Sequence, residues 1–310
     1  MLPSIKLYKL KDWVENNKDK LNWNRLSSNP NAIYLLQENQ DKIDWKSLSE
    51  NPNAIPLLEK NPDKIRWDFL SRNPNAINLL EKNQDKIDWW DLSANPNLMH
   101  LNEKILLRKN KNGHFDIQNL AENQNAIPLL EKYVYKLDYE VWYWLSKNPN
   151  AIHLLEANQD KINWSRLSSN QNAIPLLEAN QEQINWESLS ENPNAIPLLE
   201  KNIDKLDENC WIQLSKNPNA IPLLEANQDE IYWKSLSSNP NAIPLLEANQ
   251  DEIDWDYFSE NPSIFELDYN ALKENRKDMA EELAQKTFHP SRIQKLLDKG
   301  IPIEEIDNNL

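Results

Sequence analysis

The chain has 310 residues, 39% of them hydrophobic, with 49 acidic against 34 basic side chains and a net charge of −15. So small an apolar share argues against one globular core of this size and suits a thin stack of small units. The acidic balance weighs against nucleic acid as a partner, because that affinity rests on Lys and Arg neutralising phosphates.

Residues 1–28 open the chain as an N-terminal cap and partial repeat: "NKDKLNWNRLSS" fits the second half of the unit described below, and what precedes it fits the first half poorly. Charge interrupts the first twenty residues, which carry neither a secretory apolar core nor a small-residue cleavage site. No apolar run approaches the ~18 residues of a membrane span, so an intracellular protein with no membrane partner is expected. A single cysteine, Cys210, excludes an internal disulfide framework.

From Asn29 onward the sequence repeats. Asn-Pro-Asn or a variant begins at Asn29, Asn51, Asn73, Asn95, Asn123, Asn148, Asn170, Asn192, Asn217, Asn239 and Asn261, mostly 22 residues apart, twice 25 and once 28. The consensus N-P-N-A-I-P-L-L-E-x-N-Q-D-x-I-D-W-x-x-L-S-x predicts two short helices per unit. Neither would be stable in isolation, so stacking must hold them. The fold class expected is all-α: an α-solenoid of about eleven two-helix repeats (one α, one short α or 3₁₀), with the tandem array over 29–260 and a C-terminal helical cap or docking module over 261–310. Stacked linearly at ~9–10 Å per layer, such an array would form a rod or shallow superhelix on the order of 100 Å long.

The paired prolines fix where the second helix of a unit, the B-helix, begins. Opening at Pro240 would put Pro244 inside it, at the cost of a hydrogen bond and a clash. With Asn241 as N-cap, Pro244 falls where the amide has no intrahelical partner. The B-helix is therefore expected over about Ala242–Ala248, ended by Asn249 in a left-handed turn. The A-helix is "DWxxLS", capped by Asp or Asn where present. Its tryptophans, at 23, 45, 67, 89, 142, 164, 186, 211, 233 and 255, are expected as a buried column. The asparagines are expected to cap helices and satisfy turns, a peptide-binding ladder being the alternative reading.

Irregular units follow. "KLDYEVW" (136–142) and "KLDENCW" (205–211) each insert three residues before the tryptophan, which suggests a loop on one edge. The 28-residue unit 95–122 puts Ile117 in the place of tryptophan and carries "RKNKNGH" at 108–114, the one dense basic run of the array. Next comes "YVYKLDYEVWYWL" (133–145), with more aromatic rings than a narrow helix can bury. Exposed aromatics beside positive charge mark a binding surface. The candidate partner-binding residues are Arg108, Lys109, Lys111, Tyr139, Tyr143 and Trp144, all within the irregular unit 95–147.

After "NPSIFELDY" the period stops. Residues 270–287 read as one longer helix, and 291–299, between His289-Pro290 and Gly300, as a second.

The tandem "NPNAIPLLExNxDKIDWxxLSxNPNAI", closed by "IFELDY…ALKENRKDMAEELAQKTFHPSRIQKLLDKGI", resembles repeat proteins of giant, mimivirus-like DNA viruses. The resemblance covers nearly the whole chain and implies a viral source, in host cytoplasm or virion, without implying an activity. A looser likeness is to leucine-rich-variant repeats, in which an α-helix alternates with a 3₁₀ helix; the tryptophan and the 22-residue unit depart from them.

Catalysis is not expected. His100, His114, His153 and His289 lack metal spacing, Cys210 has no activating neighbour in sequence, and no glycine loop cradles phosphate. No cofactor, catalytic residue or metal ligand is assigned. The reading is a non-enzymatic scaffold for a protein partner, monomeric unless structural; the alternative is a virion component that assembles laterally or end to end.

Overall fold

The structure, a computed structural model, describes residues 7–101, 117–131, 137–274 and 276–277. Its chain forms two compact units, residues 11–264 and residues 1–10 with 265–310. The first is an all-helical stack of the repeats, as the sequence predicts.

One repeat shows the plan. The A-helix spans Trp45–Glu50, the B-helix Ile55–Lys60, and a 3₁₀ turn Pro62–Lys64 leads to the next repeat. The Asp44 carboxylate caps the A-helix, accepting from the amides of Lys46 and Ser47 at 3.3 and 3.2 Å. Leu48, Ala54 and Leu58 have no exposed surface, and burying each leucine contributes about 1.5–3 kcal/mol. The A-helix is α-helical throughout; the 3₁₀ segment is instead this third piece, over the Q-D-K residues.

Polar ladders carry the stacking. The Asn51 side-chain amide donates to the carbonyls of Ser27 and Asn29 in the preceding repeat, at 3.0 and 2.9 Å, and its Oδ1 accepts from Asn53 N at 3.0 Å. The same pattern recurs at Asn73, Asn95, Asn170, Asn192, Asn239 and Asn261. Every asparagine of this column is buried, so its amide is spent on backbone that would otherwise lie buried and unpaired. That rules out the peptide-binding ladder. A second column does a similar job: Ser49 Oγ donates to Trp45 O at 2.7 Å and accepts from Arg66 N, at the start of the next A-helix, at 3.0 Å.

The expected open rod does not form, because the last repeat stacks on the first. Asn29 donates to Ser259 O and Asn261 O at 3.1 and 3.0 Å, and Asn31 to Pro262 O at 3.0 Å. Asn22 N donates to Ser259 Oγ at 2.8 Å, and Arg25 pairs with Glu260. Trp13 lies against Phe258, ring centroids 5.4 Å apart, where other repeats have leucine. The bonds are those of any interior step, now joining residues about 230 apart in sequence. The closest contacts between neighbouring repeats run A-helix to A-helix, so in the closed stack the A-helices form the layer of shorter circumference.

Other expectations are corrected in detail. The B-helix starts at Ile243, with Ala242 at the cap position and no side-chain cap. Asn241 is not the N-cap, because its amide reaches across to Pro218 O at 2.8 Å. Pro244 still occupies one of the first two helical positions. Asn249 ends the helix at φ −130°, not left-handed, while its side-chain amide donates to Leu245 O at 2.8 Å. The three-residue insertions make no loop; they lengthen the A-helix toward its N-terminus, giving Tyr139–Leu145 and Glu208–Lys216.

Those insertions also decide how deep the tryptophans sit. Trp142 and Trp211, covered by the extra turn, are 3% and 5% exposed. Trp23, Trp45, Trp67, Trp89, Trp164, Trp186, Trp233 and Trp255 stand at the first helical position and are only half-buried. Leucines and alanines fill the core instead, and the expected buried indole column is corrected to one with a free edge. Several of these rings are covered by a lysine from the next 3₁₀ turn: Lys42 over Trp23 at 4.3 Å, Lys86 over Trp67 at 4.6 Å, Lys205 over Trp186 at 4.9 Å.

In the second unit β1 (Tyr8–Leu10) pairs antiparallel with β2 (Phe265–Leu267), and Lys9 meets Glu266 at 3.0 Å. Asp268 caps the helical turn that follows by accepting from Ala271 N at 3.0 Å. Helix continues over 269–274 and 276–277; the rest of the helix expected to 287, and the one expected at 291–299, lie outside the described residues.

Candidate functional site

Most A-helices turn their leucine and serine into the stack and leave three places outward, the two residues after the tryptophan and the one after the serine; Ser235, which is buried, is an exception. Sequence varies most there. The face carries Asn24, Arg25 and Ser28 in one repeat, Asp68, Phe69 and Arg72 in another, and Tyr143, Trp144 and Lys147 in a third. The buried leucine, serine and asparagine hold the stack, while these places add only surface contacts between neighbouring repeats, such as Arg25 with Glu260 and Arg72 with Asp91, so they are the ones most free to specify a partner.

The densest chemistry on this face lies at Tyr143 and Trp144. Their rings meet edge to face, centroids 5.0 Å apart at 86°. The guanidinium of Arg166, from the next A-helix (Trp164–Ser168), lies 4.3 Å from the Tyr143 ring and 4.6 Å from the Trp144 ring. Its Nε is buried and has no hydrogen-bond partner. A guanidinium held over two rings, with its Nε out of water, keeps its planar donor fork, a geometry matched to carboxylate or phosphate. Nearby, Ser165 and Ser188 hydroxyls stand 3.4 Å apart, and Lys147 reaches Glu191 at 3.7 Å.

Of the residues singled out from sequence, Tyr143 and Trp144 come together here. Tyr139 stands on the added turn, 71% exposed. Arg108, Lys109 and Lys111 lie outside the described residues. Sequence reasoning missed Arg166, whose signal was its register: it occupies in its own A-helix the place Trp144 occupies in the one before. It also missed Trp90, 53% exposed, the second tryptophan of "DWWDL". Arg72 lies 5.4 Å from that ring and donates through Nε to Asp91 at 2.5 Å. Burial pushes the Asp91 carboxyl up, against the pull of Arg72.

Cys210 is buried, and that burial pushes its thiol up, so little thiolate is present at neutral pH. His153 Nε2 lies 2.7 Å from Glu131, both exposed. Among the described residues no group of three or more His, Cys, Asp or Glu is placed to hold a metal ion, and no helix is long and apolar enough to cross a membrane.

Fold and surface together define a closed α-helical repeat protein with a variable face on its A-helices. No family model, curated protein or solved structure matches the chain.

Proposed function

We propose that this chain is a non-enzymatic scaffold, of giant-virus origin, that binds a protein partner through the A-helix face around Tyr143, Trp144 and Arg166. The observation that carries the reading is Arg166: a half-buried guanidinium lying over two rings, its Nε buried and unpartnered, in a chain with an excess of carboxylates. Aromatic and arginine anchors are the groups that dominate protein interfaces. Invariant places in the repeat hold the stack and variable ones address the partner.

Closure favours a scaffold over a component that assembles end to end, because both ends of the asparagine ladder are already used on each other. The viral assignment rests on the sequence resemblance alone.

The test is affinity capture from infected cells with the wild-type chain and with Tyr143→Ser, Trp144→Ser, Arg166→Ala, after circular dichroism confirms the fold. Loss of specific partners in the triple variant supports the reading, and an unchanged partner set removes it. Sedimentation at high concentration separates a monomeric scaffold from a self-assembling component.

A further inference from the structure

The lysines over the tryptophans define a place that, among the described residues, three repeats fill with glutamine or glutamate instead. The cation stands nineteen positions after its ring, as Lys42 after Trp23, Lys86 after Trp67 and Lys205 after Trp186, with Nζ 4.3–4.9 Å from the centroid. The closing step of the stack does the same with Lys20 over Trp255, at 5.0 Å. In the same register Trp164 has Gln183, Trp211 has Glu230 and Trp233 has Glu252; Trp211 is only 5% exposed, which leaves its ring no room for an outside cation.

Trp233 is the telling case. The backbone that presents residue 252 matches the one that presents Lys86. The turn Gln250–Glu252 runs between Asn249 (φ −130°, ψ 54°) and Ile253 (−69°, 122°); the turn Gln84–Lys86 runs between Asn83 (−130°, 50°) and Ile87 (−65°, 124°). Glu252 therefore stands where the repeats of Trp23, Trp67 and Trp186 hold their lysine, beside a half-buried indole, while the neighbouring Lys234 lies over Tyr257. Asp251 and Glu252 are both exposed. A carboxylate cannot stack favourably on the negative face of an indole, but it can hold a cation there. The ring keeps the geometry for an ammonium group, and the chain supplies opposite charge in its stead.

We propose that Trp233 and Glu252 form a receptor for a lysine-rich segment of a partner protein, whose ammonium group takes the place that Lys86 takes over Trp67. The proposal rests on the reading of the chain as a binding scaffold and concerns a surface separate from Arg166. Charge complementarity selects the occupant: the ring attracts cations, and Asp251 and Glu252 add attraction and steering. Trp164, with neutral Gln183, has the open ring without the charge and is a weaker site.

The test uses the full chain, a short oligolysine peptide and, as control, oligoglutamate, followed through ¹⁵N-labelled indole resonances assigned by loss in Trp233→Phe. Oligolysine should shift the Trp233 resonance before those of Trp67 or Trp186, and oligoglutamate should not. Glu252→Lys supplies the missing cation from within: it should abolish the shift and weaken binding at least about tenfold, with an unchanged or higher melting temperature. Glu252→Gln should fall between. An absent Trp233 shift, equal shifts across the capped rings, or wild-type affinity in Glu252→Lys overturns the proposal. Partner capture with the Tyr143, Trp144 and Arg166 variant is read separately, so either idea can fail alone.

Discussion

The side-chain amide of Asn29 donates to the carbonyl of Asn261 at 3.0 Å, and this one bond repeats across the whole sequence what Asn51 does to Asn29 at 2.9 Å. The first ladder position is thus an interior position. Asn29→Ala should destabilise the protein about as much as Asn192→Ala, each by roughly 2–4 kcal/mol, since each strands two buried carbonyls. Urea titration decides; a cost near zero for Asn29→Ala alone would mean the stack is open in solution.

Tryptophan depth gives a graded expectation. Trp211→Ala, which empties a buried site, should cost about 3–5 kcal/mol. Trp186→Ala removes a half-buried ring and its contact with Lys205, and should cost about 1–3 kcal/mol. Iodide should quench a part of the native fluorescence that Trp186→Phe reduces and Trp211→Phe does not. Equal costs for the two alanine variants would contradict the half-exposed column.

Helix register can be read through proline. Pro244→Ala should be nearly neutral, because residue 244 donates no intrahelical bond from the first two positions. Adding Leu246→Pro to that change removes the 2.9 Å bond from Leu246 N to Ala242 O and should cost about 3 kcal/mol or more. Thermal melts of the two variants should separate clearly; coincident melts would place the start of the B-helix elsewhere.

Tyr232 offers a pH test. It stands where other repeats put a capping Asp or Asn, and its hydroxyl donates to Glu208 at 2.5 Å. That carboxylate, chiefly through the hydrogen bond, pushes the phenol up to about 12. The folded state holds this proton more tightly than the unfolded chain, so the stabilisation is complete below about pH 10 and is lost as pH rises through about 12. Ultraviolet titration should show one tyrosine ionising late; Tyr232→Phe should remove that step, and Glu208→Gln should return it to the ordinary range.

The sequence by itself determined the repeat, its period and the helical pieces, because local preference and stacking of like on like act within one unit and its neighbour. It also singled out Tyr139, Tyr143 and Trp144 as more rings than a narrow helix can bury; Tyr139 is exposed, whereas Tyr143 and Trp144 are half-buried against each other and Arg166. What it left open depended on distance in the chain. Arg166 joins those rings only because consecutive A-helices stack in register. The half-exposure of Trp186 and the burial of Trp211 follow from whether an added turn covers the ring, which the insertion suggested as a loop. The strand pair of Tyr8–Leu10 with Phe265–Leu267 needs both ends of the chain. Closure is the clearest case. Each step between repeats carries a small rotation that no single unit reveals, and only its accumulation around the stack brings Asn29 to Ser259 and Asn261, where its side-chain amide donates to the last repeat's carbonyls as each interior asparagine does to those of the repeat before it.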